Sequence, residues 1–119
     1  MKNIEVKFKT KMSDYNEYGF IGGPSIFKKS DLIGLVEAQK EISEEFVFTE
    51  KASIKFNKQI CRWEDVSAVS ICNLPYKNFF KNYKNKRKII ICFYSGNLLL
   101  TEVELIFTGV NKNFCLKEV

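Results

Sequence analysis

Between positions 16 and 31 the chain reads NEYGFIGGPSIFKKSD, and most of its chemically useful groups lie there. Asp31 is a carboxylate able to act as a base or a nucleophile, and Asn16 is an amide able to orient a water molecule. Gly22 and Gly23 immediately precede Pro24. Glycines weaken a fold unless the backbone must turn sharply or something must approach it closely. Pro24 suits the first position of a helix, with Gly23 as its N-cap. The unpaired N–H groups of such a tip lie at the positive end of the helix dipole, where they can hold a developing negative charge. Glu37, further along the same helix, is a second carboxylate and the reserve catalyst. Each group also has an ordinary role. The glycines can simply turn the chain, Asp31 can pair with Lys28 at i,i+3 spacing, and Asn16 can bond its own backbone. Glu37 can pair at a subunit interface, and Asp14 can serve as a loop residue.

Other chemistry is excluded by composition. The chain has no histidine, which removes every histidine base and any cysteine–histidine nucleophile. Cys61, Cys72, Cys92 and Cys115 form no C-x-x-C pair, and their spacings do not suit zinc, so no metal is expected. They are expected to be small buried apolar residues in a reducing compartment. From Tyr76 to Lys88 six basic residues (Lys77, Lys81, Lys84, Lys86, Arg87, Lys88) interleave with Tyr76, Phe79, Phe80 and Tyr83, without an acid. Such a stretch can be a solvated loop pinned by its aromatics. It can also hold phosphates, an acidic protein or, ranked last, single-stranded nucleic acid.

The elements that must position these groups follow from hydrophobic period. The 119 residues, 45% hydrophobic and 28% charged, suit one globular domain over 1–119. The net charge of +5 fits an anionic partner. The charged, alternating start MKNIEVKFKT is not a signal peptide, and no apolar run is long enough for a membrane span, so a cytoplasmic location is expected. Residues 3–10 alternate as a strand. Residues 24–43 form a helix whose centre, Leu32 to Val36, is apolar all round, which implies that a sheet surrounds it. Residues 46–60, Val66 to Cys72, Arg87 to Tyr94 and Leu98 to Phe107 are expected strands. Ser95-Gly96-Asn97 forms a hairpin turn, and residues 73–88 form a long connection. One segregated helix among strands is an α+β arrangement.

The order and size of these elements, the closing pattern KRKIIICFYSGNLLLTEVELIF and the loop-to-helix segment together resemble the hotdog-fold acyl-CoA thioesterases. In the phenylacetyl-CoA type the segment runs N-x-x-G-x-x-H-G-G, with an aspartate on the helix fifteen positions after the asparagine. Here Asn16, Gly19 and Gly23 match, Asp31 falls fifteen after Asn16, and Gly22 occupies the histidine position. Asp14-x-Asn16-x-x-Gly19-Phe20 is similar to the D-x-D-x-x-G-H of the 4-hydroxybenzoyl-CoA type. GFIGGPSIF with Glu37-Ala38-Gln39 loosely resembles the 3-hydroxyacyl-carrier-protein dehydratases.

The resemblance implies a curved antiparallel sheet of five or six strands wrapped around one long central helix. It implies a homodimer or homotetramer, its sheets joined edge to edge, and an active site between subunits with Asn16 and Asp31 from opposite chains. It also implies hydrolysis of an acyl-CoA or acyl-carrier-protein thioester. The Gly22–Gly23 tip would receive the thioester carbonyl, Asp31 would act on water or on the carbonyl, and Asn16 would orient the water. Lys84, Lys86, Arg87 and Lys88 would hold the phosphates of CoA or of the carrier's phosphopantetheine. No cofactor is needed beyond that part of the substrate. Two other activities fit the same resemblance: a non-catalytic hotdog protein that binds acyl thioesters or serves in assembly, and a dehydratase-like lyase of fatty-acid or polyketide synthesis.

Overall fold

In a computed structural model, residues 5–77 and 82–111 are described. In chain order the elements are β1 (Glu5–Val6), α1 (Gly23–Gln39), β2 (Phe46–Phe56), β3 (Ser67–Lys77), β4 (Asn82–Ser95) and β5 (Leu98–Val110). The strands form one antiparallel sheet in the order β1-β3-β4-β5-β2, four long strands with the two-residue β1 at one margin. β2 is the other margin and pairs only with β5 among the described residues. The arrangement is α+β, one helix against an antiparallel sheet.

Alternation places the core. Ile89, Ile91 and Phe93 of β4 pair with Leu105, Val103 and Thr101 of β5, and all six are fully buried. α1 lays Ile26, Ser30, Ile33, Gly34 and Ala38 on this surface. The Ser30 hydroxyl donates back to the Ile26 carbonyl at 2.8 Å, so its burial leaves no polar group unpaired. Gly34 sets the approach of helix to sheet. A Cβ there would lie 2.8 Å from Cε2 of Phe107, closer than any side chain tolerates.

Several expectations need correction. The sheet does not surround the helix: Leu32 and Val36 are 53% and 55% exposed on its outer side. Helix formation starts one residue earlier than expected, with Gly22 as N-cap and Pro24 inside the first turn, and it ends at Gln39. The early end follows from packing, because Ile42 turns inward and its Cγ2 would lie 2.3 Å from a Cβ on Gly109. The first strand keeps only Glu5–Val6 of the described part of 3–10. The basic stretch is not a long connection. β3 runs on to Lys77 and β4 begins at Asn82, with a register shift at Pro75/Lys77 where the proline cannot donate. Phe79, Phe80 and Lys81 lie outside the described residues, as does Cys115. The expectation that the cysteines are buried holds for Cys92 and fails for Cys61, which is exposed. Gly96 makes the expected turn with φ of +59°, a backbone conformation that favours glycine. Among the described residues no helix is long and apolar enough to cross a membrane.

Candidate functional site

The loop before α1 is built to present the helix tip. Tyr15 and Ile21 form a bridge, and between them Asn16 closes a tight turn. Its Oδ1 accepts the N–H groups of Tyr18 and Phe20 at 2.9 and 3.1 Å. The turn passes through Gly19 at φ +80°. Since Oδ1 is occupied by two backbone donors, the free face of the Asn16 amide is its NH2 group. A single 3-10 turn, Met12–Asp14, precedes this turn and places Asp14 under the helix start. There the Asp14 carbonyl accepts the Gly22 N–H at 2.9 Å. Pro24 has no N–H, and the Gly23 N–H has no hydrogen-bond partner among the described residues. Of the two glycines, then, Gly22 is buried and bonded, and Gly23 offers the open amide.

Gly23 lines a cleft of about 250 Å³ together with Asn16, Phe20, Ile26, Phe56 and Ile60, among others. Phe20, Phe56 and Gln59 also line an open groove of about 580 Å³ that continues from it past Asn57 and Lys58. Among the described residues Lys58 is the one charged residue lining either space. Apolar walls around a few polar groups are the usual make-up of a ligand site.

Asp31 lies eight residues into the helix from Gly23, about 12 Å along its axis. It is half-buried and accepts a hydrogen bond from the Thr49 hydroxyl of β2. The structure therefore sets Asp31 beside the free margin of the sheet, apart from Asn16 and the tip of its own chain. Glu37 occupies another flank. Its side chain is 14% exposed and pairs with Lys40 at 3.0 Å. It lines an apolar hollow of about 250 Å³ with Val6, Phe8, Leu32, Ile33 and Val36. The two carboxylates do not share a site within one chain.

The basic residues lie at the far end of the sheet. Lys86 pairs with Thr108 on β5, and Phe56, which touches the helix tip, pairs with Thr101. Seven residues of extended strand separate these levels, about 23 Å. Lys86 is bonded to Glu50 and sits 4.7 Å from the Tyr83 ring centroid. Lys88 pairs with Glu104 at 3.3 Å. Arg87 donates to the side chain and carbonyl of Asn73, both at 2.8 Å, and Asn73 in turn donates to the Glu37 carbonyl. Lys84 is exposed.

Sequence reasoning missed Thr49, Phe56 and Lys58, which reach the site only through the position of β2 beside α1. It also took Asp14 for a plain loop residue, whereas Asp14 is 9% exposed and bonded through its carboxylate to the Lys11 N–H and the Ser25 hydroxyl.

Solved structures share this fold. An acyl-CoA hydrolase from Staphylococcus aureus, in complex with butyryl coenzyme A, coenzyme A and coenzyme A disulfide, superposes with a TM-score of 0.70 at 16% identity. The likeness covers 93% of this chain and 65% of that one, so this chain spans about two thirds of that protein's length. Variants of the same enzyme with one threonine, one asparagine or one aspartate changed to alanine superpose equally well. An apo-hexameric acyl-CoA thioesterase matches with a TM-score of 0.70 at 18% identity, over 93% of this chain and 70% of that one. A predicted thioesterase from Bacillus stearothermophilus matches with a TM-score of 0.72 at 10% identity, over 95% and 84%. No protein-family model matches the sequence, and no curated protein matches it. The element order, the antiparallel sheet under a single helix and these likenesses assign the chain the hotdog fold found in acyl-CoA thioesterases.

Proposed function

We propose that the protein is an acyl thioesterase, hydrolysing an acyl-CoA or acyl-carrier-protein thioester at a site completed by two copies of the chain. The observation that carries this reading is the helix-tip cleft, an apolar space lined by both Asn16 and Gly23, whose amide has no partner among the described residues. A thioester carbonyl seated there meets the Gly23 N–H at the positive end of the helix dipole. The Asn16 NH2 group is placed to be a second donor to the carbonyl oxygen, a role that differs from the water-orienting one expected of it.

The base comes from across the sheet margin. Among the described residues β2 has an unpaired outer edge, and pairing it antiparallel with a second copy about its middle sets the partner's Thr49 near residues 52–54. The partner's Asp31, bonded to that threonine, then approaches the cleft that begins at Phe56. Its free oxygen takes a proton from water as the water oxygen bonds to the carbonyl carbon. The resulting oxyanion is held by the tip. Its collapse breaks the C–S bond, releasing the acid and the thiol, with the proton returned from Asp31 to the sulfur. The Asn16–Asp31–Thr49 spacing supports the reading. In the Staphylococcus aureus enzyme the altered asparagine and aspartate lie fifteen positions apart, as here, and the altered threonine follows by seventeen, against eighteen in this chain.

The groove past Phe56 takes the pantetheine arm, and Lys58 at its rim meets the phosphates. Lys84, Lys86, Arg87 and Lys88, at the other end of the sheet, are left as the rival phosphate site. The test is hydrolysis of a panel of acyl-CoA and acyl-carrier substrates by wild type and Asp31→Asn. Loss of a positioned base should lower kcat by about 10²- to 10⁴-fold. An unchanged rate removes Asp31 from the mechanism. A wild type that hydrolyses nothing yet is stabilised by CoA supports the binding protein instead, and loss of water from 3-hydroxyacyl chains with the thioester intact supports the lyase.

A further inference from the structure

We propose that Asp14 is a positioning residue of this site, a remote cap that fixes where the Gly23 amide points; the inference rests on the thioesterase reading. A helix opening on two glycines has a problem. Glycine at the N-cap has no side chain to bond the first turn, and α1 makes no side-chain cap bond of its own. Its tip is therefore free to fray just where a fixed donor is needed.

Asp14 supplies what Gly22 lacks, from eight residues upstream. Its backbone carbonyl accepts the Gly22 N–H at 2.9 Å, and its Oδ1 accepts the hydroxyl of Ser25, the third residue of the helix. One residue thus grips the tip on both sides of Gly23. The grip is itself anchored, because Oδ2 accepts the Lys11 N–H at 2.7 Å and closes the 3-10 turn. Asp14 does not line the cleft, so it steadies the tip without blocking it. Burial pushes its carboxyl upward, and this is the largest single influence. The Ser25 hydroxyl, the Lys11 amide, the Lys29 charge and the Trp63 indole together outweigh it and hold the carboxyl below its usual range. Trp63, the sole tryptophan, is fully buried; among the described residues its Nε1 has no acceptor at hydrogen-bond distance, so its pull on Asp14 acts from further off and is the weakest of the four.

The substrate is also held by the groove, so loosening the tip should weaken transition-state binding far more than ground-state binding. The experiment measures kcat, KM, melting temperature and tryptophan fluorescence for wild type, Ser25→Ala, Ser25→Thr, Asp14→Asn and the double variant Asp14→Asn/Ser25→Ala. Assays run well below every melting point. Ser25→Ala should lower kcat about tenfold or more while KM stays within about threefold. Ser25→Thr, which keeps the hydroxyl, should restore it. Asp14→Asn should shift the fluorescence of Trp63, and the double variant should be no slower than the slower single, since one bond is cut twice. Ser25→Ala keeps the buried carboxylate in place, so the proposal can be tested even if the Asp14 variant fails to fold. Melting temperatures that fall while kcat holds would make Asp14 a stability residue and overturn the proposal alone. Absence of hydrolysis by the wild type would overturn the thioesterase reading and this assignment with it.

Discussion

Gly34→Ala tests the packing that carries the site. Helix propensity alone predicts a gain of about 1 kcal/mol, because alanine is favoured over glycine inside a helix. The structure predicts the opposite sign. The new methyl would lie 2.8 and 2.9 Å from two ring atoms of Phe107 and 3.0 Å from Cδ1 of Leu105. Both residues are fully buried, so neither can swing aside, and the helix must lift from the sheet. Overpacking of this kind costs about 1–3 kcal/mol, and a lifted helix also loses contact along Ile26, Ile33 and Ala38. The net expectation is a loss of about 1 kcal/mol or more, a fall in melting temperature of roughly 3–6 °C for a domain of this size. Urea and thermal unfolding, followed by circular dichroism at one protein concentration, would measure it. Phe107→Leu should relieve part of the strain when combined with Gly34→Ala. A Gly34→Ala variant more stable than wild type would refute the argument and mean that helix and sheet are not in close contact at this point.

Two further outcomes are expected. Lys58→Glu should raise KM for acyl-CoA severalfold and leave KM for an acyl-N-acetylcysteamine thioester, which has no phosphate, unchanged; the reverse result for Lys84→Glu would move the phosphates to the basic hairpin. The Glu64 carboxyl is held down at about 2, first by the Thr10 hydroxyl and then by the Thr10 amide. A carboxyl depressed below its unfolded value stabilises the fold above that value, and the contribution fades as pH falls from about 4.5 through 2. Thr10→Val should flatten this part of an acid-unfolding curve, and an unchanged curve would remove Thr10 as the cause.

How much could be read from the sequence depended on how local the signal was. The turn at Gly96 and the helix start at Gly22–Pro24 are written in residue types that few other conformations accept, and both were legible. The fifteen-residue interval from Asn16 to Asp31 was visible too. The bond from Thr49 to Asp31 was not, because it forms only when β2 returns beside α1. The start of β4 is not legible, since the lysines at 84, 86 and 88 hide the alternation that pairs with Ile106 and Thr108, and β3 runs past the expected Cys72 to pair with it. The helix was placed inside a wrapping sheet because five consecutive apolar residues suggest burial on every side, yet Leu32 and Val36 face outward. The tie from Asp14 to the helix is not legible, because Ser25 is eleven positions away and no pattern of spacing marks such a pair.

Among the described residues β2 ends the sheet with its outer backbone groups unpaired, and Phe46, Phe48 and Phe56 along it are about half exposed. In the proposed assembly this ties output to abundance. A scarce chain would fold and yet stay idle, each half waiting for the other's acid. Rate per molecule should therefore climb with dose before levelling off.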